Sequence, residues 1–100
     1  MRTLLIDDLR ELKADKTART FLDGINALKE GSWDLLLLDH DLGDPDPRHT
    51  GYDILCWLEE NPQLLPGEIQ LVTMNVVGRE KMTIVIKRLY ENVSLLFGQV

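Results

Sequence analysis

Acidic residues follow directly after two short apolar segments of the chain. Asp7 and Asp8 come after residues 4–6, and Asp39 comes after the four leucines at residues 35–38. Carboxylates that are held close together repel one another unless one of them keeps a proton or a cation neutralises them. Carboxylate oxygens are hard ligands that suit Mg²⁺, Mn²⁺ or Ca²⁺. The sequence therefore predicts a divalent-metal site with Asp7, Asp8 and Asp39 as its ligands.

A phosphoryl group is the natural further ligand of such a metal site. Mg²⁺ usually keeps several waters and takes one or two carboxylates together with a phosphate oxygen. Thr73 could donate its hydroxyl to the phosphate, and Asn75 could add its amide. Arg79, in the first turn of a predicted helix, would bring a planar fork of donors beside the positive end of the helix dipole. We therefore predict Thr73, Asn75 and Arg79 as phosphate ligands.

His40 is the candidate proton carrier because it directly follows Asp39. Histidine changes its charge near neutral pH, whereas the other histidine, His49, lies in a proline-flanked loop. If the protein is an enzyme, the simplest mechanism is a metal-assisted attack on a phosphate ester with His40 as acid or base. Asp39 and His40 are therefore the predicted catalytic residues.

Most of these residues also have a purely structural alternative. Asp8 could cap a short helix over residues 9–12, since aspartate is a favoured N-cap. His40 could hydrogen-bond its own loop, and Thr73 could be an ordinary β-branched strand terminus. Asn75 could cap the helix that follows it. At this point both sets of interpretations remain open.

Strands and helices alternate along the chain. Short apolar runs that end in acids or turn residues predict strands, and apolar positions at helical spacing predict helices. The predicted strands are residues 3–6, 15–19, 34–38 and 69–72, of which 15–19 has the weakest pattern. The predicted helices are residues 21–28 with Thr20 as the cap, a helix from Tyr52 to the break at Asn61-Pro62, and a long helix after the turn at residues 75–78. Residues 93–100 are predicted either to extend this helix or to form an edge strand.

The alternation predicts an α/β domain with a parallel sheet, right-handed crossovers and helices on both faces. In such sheets the functional crevice lies beyond the carboxyl ends of the strands. Asp7, Asp8, Asp39 and Thr73 each lie where a predicted strand ends. We therefore expect these side chains to converge at one edge of the sheet.

Composition limits the class of protein further. The 100 residues suffice for a single domain, and 44% apolar with 28% charged residues is typical of a globular chain. A net charge of −6 without a basic run argues against general binding to duplex DNA. No stretch reaches the roughly 20 apolar residues that span a membrane. Because Cys56 has no partner for an internal disulfide and no apolar leader follows Met1, we expect a cytoplasmic protein.

Four blocks of sequence, taken in order, resemble a known family. They are DDLR at residues 7–10, LDHDLGD at 38–44, the block from TGYDIL to WL at 50–58, and the block from MNVVGRE to the methionine at 74–82. Together they resemble the cyclic-phosphate processing receiver-like domains, which are relatives of response-regulator receiver domains. The resemblance covers about residues 3–88 and is far more specific than any one block.

The resemblance implies a flavodoxin-like three-layer sandwich with four or five parallel strands in the order 2-1-3-4. It also implies an acidic metal pocket at Asp7, Asp8 and Asp39, with His40 and Asp41 as the family's signature. The implied ligand is the phosphate end of an RNA or a phosphate-bearing small molecule, and the implied setting is phage or bacterial conflict or signalling.

Three features of the chain depart from the related proteins. Val72 stands where family members usually carry a histidine, and Val76 stands where they often carry a proline. True receivers end a fifth strand with a lysine that contacts the phosphoryl group, and no lysine follows residue 92 here. A phosphorelay role is therefore less favoured than the overall pattern suggests.

Three functions are compatible with these observations. The first is a metal-dependent enzyme that processes phosphate esters or cyclic phosphates of RNA or nucleotides. The second is a non-catalytic module that binds a protein partner through the same scaffold, which Val72 favours. The third is a phosphoacceptor switch at Asp39. The fold alone cannot choose among them, because one scaffold can host unrelated activities.

Overall fold

A four-stranded parallel sheet forms the centre of the molecule. The computed structural model describes residues 1–93. Its elements are β1 (Thr3–Ile6), β2 (Lys16–Ala18), α1 (Phe21–Lys29), β3 (Leu35–Leu38), α2 (Gly51–Glu60), a short 3-10 turn (Pro62–Leu64), β4 (Glu68–Leu71) and α3 (Val76–Val93). The predicted α/β receiver-like fold is confirmed. The alternatives for the tail lie outside the described residues, except for Val93 at the end of α3.

The strand order is β2-β1-β3-β4, with every pair parallel, as expected. Ile6 pairs with Leu38, and Leu38 pairs with Leu71, so the strands end at the same level. The hydrogen-bond ladder continues one residue further, because the amide of Asp39 donates to the carbonyl of Ile6 over 3.0 Å. This register places Asp39 beside the residues that follow β1.

The three helices share one hydrophobic core with one face of the sheet. Side chains alternate between the faces of a strand, and Leu4, Ile6, Leu36 and Leu38 are all fully buried. These residues form one cluster with residues of every helix, among them Ile25, Leu28, Ile54, Leu58, Met82 and Leu89. The helices of the described residues therefore pack together on this face of the sheet.

The segment between β1 and β2 is irregular. Residues 7–15 form neither a helix nor a strand. The Asp7 side chain accepts the backbone N–H groups of Leu9 and Arg10, which holds the chain in a turn. The helix over residues 9–12 that Asp8 could have capped is therefore not formed.

Side-chain N-caps begin α1 and α2 at or next to their predicted first residues. Thr20 accepts the amide of Asp23 at the start of α1. Thr50 and Asp53 form a reciprocal capping box at the start of α2, so this helix begins at Gly51, one residue before the prediction. None of the helices in the described part of the chain has the length and apolar character needed to cross a membrane.

Candidate metal centre

Three carboxylates converge at the carboxyl edge of the sheet. Asp7, Asp8 and Asp39 each offer an oxygen within 4.8 Å of the others. Asp7 is fully buried, Asp39 is 7% exposed and Asp8 is half-buried. Such a set of hard oxygen donors fits a divalent cation of the Mg²⁺ or Ca²⁺ type. The three carboxylates therefore converge as predicted, and together they could hold a metal ion.

The carboxylate of Asp7 is strongly hydrogen-bonded. Its Oδ1 accepts the amides of Leu9 at 3.0 Å and Arg10 at 3.1 Å, and its Oδ2 accepts the guanidinium of Arg10 at 2.9 Å. Burial alone would raise the pKa of Asp7, but these hydrogen bonds and the charge of Arg10 outweigh burial and lower it below the usual value. Asp7 is thus held as a buried anion.

The pKa of Asp39 is shifted in the opposite direction and lies above its usual value. Burial is the largest influence on its pKa and raises it, and the negative charge of Asp7 raises it further. Hydrogen bonds from the His40 amide, at 2.8 Å to Oδ1, and from the Thr73 side chain act in the lowering direction without reversing the shift. A second buried carboxylate beside Asp7 is therefore energetically unfavourable, and a bound divalent cation would reduce this cost.

Gly43 brings the loop after β3 against Asp8. A Cβ atom at Gly43 would lie 3.1 Å from Oδ2 of Asp8, and the backbone has φ +66°, a conformation that favours glycine. The loop therefore closes one side of the acidic group. A larger residue at this position would push against the Asp8 carboxylate.

Arg10 is the functional residue that sequence reasoning missed. Its Nη1 lies 2.9 Å from Oδ2 of Asp7 and 3.4 Å from Oδ2 of Asp39. Arg19 supports the turn by donating to the carbonyls of Arg10 at 2.7 Å and Asp7 at 3.2 Å. The position of Arg10 within the DDLR block was the available signal, but it does not show where a long side chain points.

His40 lies at the edge of the acidic group and is oriented from two sides. Its Nδ1 is 3.0 Å from Oδ1 of Asp41. Its ring packs against Gly78 at the start of α3, where a Cβ atom would lie only 2.6 Å from the ring carbon Cδ2. With Nδ1 occupied by Asp41, Nε2 is the ring nitrogen that remains to exchange a proton.

The three predicted phosphate ligands have different positions. Thr73 is 5% exposed, and its side chain acts to lower the pKa of Asp39, so it lies beside the acidic group. Asn75 caps α3, since its Oδ1 accepts the amide of Gly78 at 2.9 Å. Arg79 extends along the outer edge of β4, where it donates to the carbonyls of Leu71 and Thr73 at 3.4 and 3.5 Å. In this arrangement the side chains of Asn75 and Arg79 make hydrogen bonds that support the structure.

The chain matches the model of a known protein family. Neither the curated proteins nor the solved structures contain a matching protein. Among protein families, residues 2–88 match the cyclic-phosphate processing receiver domain. The match spans the whole described sheet, the acidic group and most of α3. This chain therefore belongs to the family of cyclic-phosphate processing receiver domains.

Proposed function

We propose that this domain binds a divalent cation at Asp7, Asp8 and Asp39 and, through that cation, a phosphate-bearing ligand. The observation that carries the proposal is the approach of two buried carboxylates and a half-buried third within 4.8 Å. Burying charged groups is costly unless they are paired or bind a metal. A cation would offset the burial and the repulsion from Asp7 that raise the pKa of Asp39.

The surroundings of the acids favour phosphate as the ligand. Thr73 places a hydroxyl beside Asp39, and α3 begins close by at Val76. The N-terminus of an α-helix carries unpaired N–H groups and a positive dipole end, which suit an anion. The Thr73 hydroxyl and the start of α3 would thus supply donors to a phosphate bound at the cation.

We further propose that the ligand is a cyclic phosphate of a nucleotide or of an RNA end and that the domain hydrolyses it. A bound divalent cation would neutralise charge on the phosphate and activate a water. In such a hydrolysis a water oxygen would attack phosphorus, one ring P–O bond would break, and the leaving oxygen would take up a proton to give a phosphate monoester. His40 would transfer the proton through Nε2, while Asp41 holds the ring at Nδ1.

Metal titration with a matched variant tests the binding step. Mg²⁺ and Mn²⁺ are titrated into the wild type and Asp39→Asn, with binding followed by calorimetry and by amide NMR shifts. We expect saturable binding to the wild type with shifts at residues 7–8 and 39–41, and none to the variant. Asp23→Asn, which changes an exposed aspartate on α1, is the control and should bind as the wild type does. Equal binding by the wild type and Asp39→Asn would refute the site.

Turnover is tested separately with a nucleoside cyclic phosphate. Phosphorus NMR would follow conversion to the monoester in the presence and absence of Mg²⁺. We expect metal-dependent conversion that is lost in both Asp39→Asn and His40→Ala. Because His40→Ala retains all three carboxylates, it should keep its metal affinity, and this separates catalysis from binding.

A non-catalytic interaction module is the second candidate function. Exposed apolar side chains follow Thr73 at the edge of the crevice: Met74 is 85% exposed, Val76 68% and Val77 64%. Exposed apolar residues grouped together are typical of interaction surfaces. Metal binding without conversion of a cyclic phosphate would favour this candidate over the enzyme.

A further inference from the structure

The guanidinium of Arg10 lies between the two buried carboxylates. Its Nη1 is 2.9 Å from Oδ2 of Asp7 and 3.4 Å from Oδ2 of Asp39. The Oδ1 atoms already accept backbone N–H groups, from Leu9 and Arg10 at Asp7 and from His40 at Asp39. The Oδ2 atoms are therefore the ones through which both acids can bind a further cation.

We propose that Arg10 is a tethered counter-ion that competes with a divalent cation for Oδ2 of Asp7 and Oδ2 of Asp39. This inference rests on the proposed metal site. A small cation such as Mg²⁺ binds oxygen at about 2.0–2.1 Å and demands a near-octahedral shell. It cannot take both oxygens while a like-charged guanidinium remains between them. Metal entry therefore displaces the Arg10 side chain.

The structure allows this displacement without unfolding the turn. The Arg10 side chain is 32% exposed, so its guanidinium has a path to solvent. Its backbone is held independently, because Arg19 donates to the Arg10 carbonyl at 2.7 Å. The amides of Leu9 and Arg10 continue to hold Oδ1 of Asp7 when the side chain leaves. Only the side chain has to move.

The charges at the site indicate that Arg10 weakens the binding of a divalent cation. The three carboxylates carry a charge of −3 when ionised, and Arg10 reduces it to −2. Removing the guanidinium eliminates a competitor and increases the attraction for a divalent cation. The interaction of charges a few ångströms apart in a partly buried site is large enough to change affinity by about tenfold or more. Arg10 thus sets the metal concentration at which the site fills.

Calorimetric titration of Mg²⁺ into Arg10→Gln tests the proposal. We expect Kd to fall by about tenfold or more relative to the wild type, whereas Arg10→Lys, which keeps the charge, should stay near the wild type. Arg48→Gln is the control for net charge, because the Arg48 side chain is 85% exposed and pairs with Asp46; its Kd should not change. Equal or weaker binding by a folded Arg10→Gln variant would overturn the proposal.

A measurement on the wild type avoids any effect of substitution on folding. The Nε–H signal of Arg10 is followed by NMR during the same Mg²⁺ titration, with Arg79 as the reference arginine. We expect the Arg10 signal to shift with the saturation curve of the Asp8 and Asp39 amides and the Arg79 signal to stay in place. Saturating amides with an unchanged Arg10 signal would overturn the counter-ion role and leave the metal site intact. A lack of metal response in both the wild type and Arg10→Gln would refute the metal site and, with it, this inference.

Discussion

A Cβ atom at Gly51 would lie 1.9 Å from the carbonyl oxygen of Asp39. The start of α2 therefore packs directly against the backbone at the end of β3. The amide of Gly51 donates to the carbonyl of His40 at 2.8 Å, and Cε of Met82 lies 2.8 Å from the same Cβ position. One glycine thus fixes the distance between two helices and the strand that carries the site.

Gly51→Ala is expected to be strongly destabilising. The methyl group would meet a backbone carbonyl, which cannot move aside without breaking the sheet. We expect the free energy of unfolding to fall by about 3 kcal/mol, at the upper end of the usual cost of overpacking. Urea denaturation measures the change. Glu60→Ala, which changes an exposed residue of the same helix, is the control and should change the free energy of unfolding by less than about 0.5 kcal/mol. A Gly51→Ala protein as stable as this control would contradict the close packing of Gly51 against Asp39.

Asp39→Asn is expected to stabilise the protein in a chelating buffer. Asparagine keeps an acceptor for the His40 amide but removes a buried negative charge. Burial of Asp39 and, after it, repulsion from Asp7 raise the pKa of Asp39. We expect a gain of about 1 kcal/mol, or a rise of a few degrees in Tm. Functional sites often carry such a cost in stability.

Added Mg²⁺ should reverse this order of stability. A ligand that binds only the folded state stabilises it, so the wild type should gain in Tm with Mg²⁺ while Asp39→Asn should not. Thermal unfolding at several Mg²⁺ concentrations measures both effects, with Asp23→Asn as the matched control. A destabilised Asp39→Asn protein without metal would show that the carboxylate is a net structural support.

Much of the fold follows from short-range patterns in the sequence. The apolar runs of β1 and β3 end in acids, and a parallel sheet brings the carboxyl ends of its strands to one edge. Asp7 and Asp39 therefore had to meet once their strands were neighbours. The strand order itself came from the resemblance to the family, because periodicity does not say which strands pair.

Other features of the site depend on side-chain direction, which residue types do not encode. Arg10 lies in an irregular segment without a hydrophobic period, so nothing local pointed its guanidinium at Asp7. Arg79 has the expected place in the first turn of α3, but its side chain runs along β4 and lines a groove of about 430 Å³ there. Tertiary packing therefore determines the direction of the Arg10 and Arg79 side chains.

Asn75→Ala is expected to weaken α3 and leave metal binding unchanged. Its Oδ1 accepts the amide of Gly78, and loss of a cap of this kind costs about 1 kcal/mol. Asn75→Ser, which can still cap the helix, should recover most of the stability. Urea denaturation, and calorimetry with Mg²⁺ and then with inorganic phosphate, measure these effects on both variants. A large loss of phosphate binding by the stable Asn75→Ser protein would instead support the ligand role predicted from the sequence.

Gly78→Ala is expected to displace His40. The new methyl group would lie 2.6 Å from Cδ2 and 2.8 Å from Cγ of the His40 ring. The ring must rotate away, which breaks its contact with Asp41, while the three carboxylates keep their positions. We expect shifted His40 ring signals in NMR and loss of cyclic-phosphate hydrolysis with Mg²⁺ affinity retained. Val77→Ala, an exposed site in the same turn, should have none of these effects; an unshifted His40 ring in Gly78→Ala would contradict the packing.

Tyr90 should make stability fall at alkaline pH. Its hydroxyl donates to the carbonyl of Pro66 at 2.7 Å, and burial, together with the charge of Glu68, raises the pKa of Tyr90 above its ordinary value of 10.0. Because the unfolded chain ionises first, the contribution of Tyr90 is complete below pH 10.0 and is lost as the pH rises towards the higher pKa of the folded state. Tyr90→Phe should therefore cost about 1 kcal/mol near neutral pH, and its deficit should shrink above pH 10.0. Urea denaturation of both proteins across this range measures the difference, and a deficit that does not change with pH would show that the hydroxyl is not held in its neutral form.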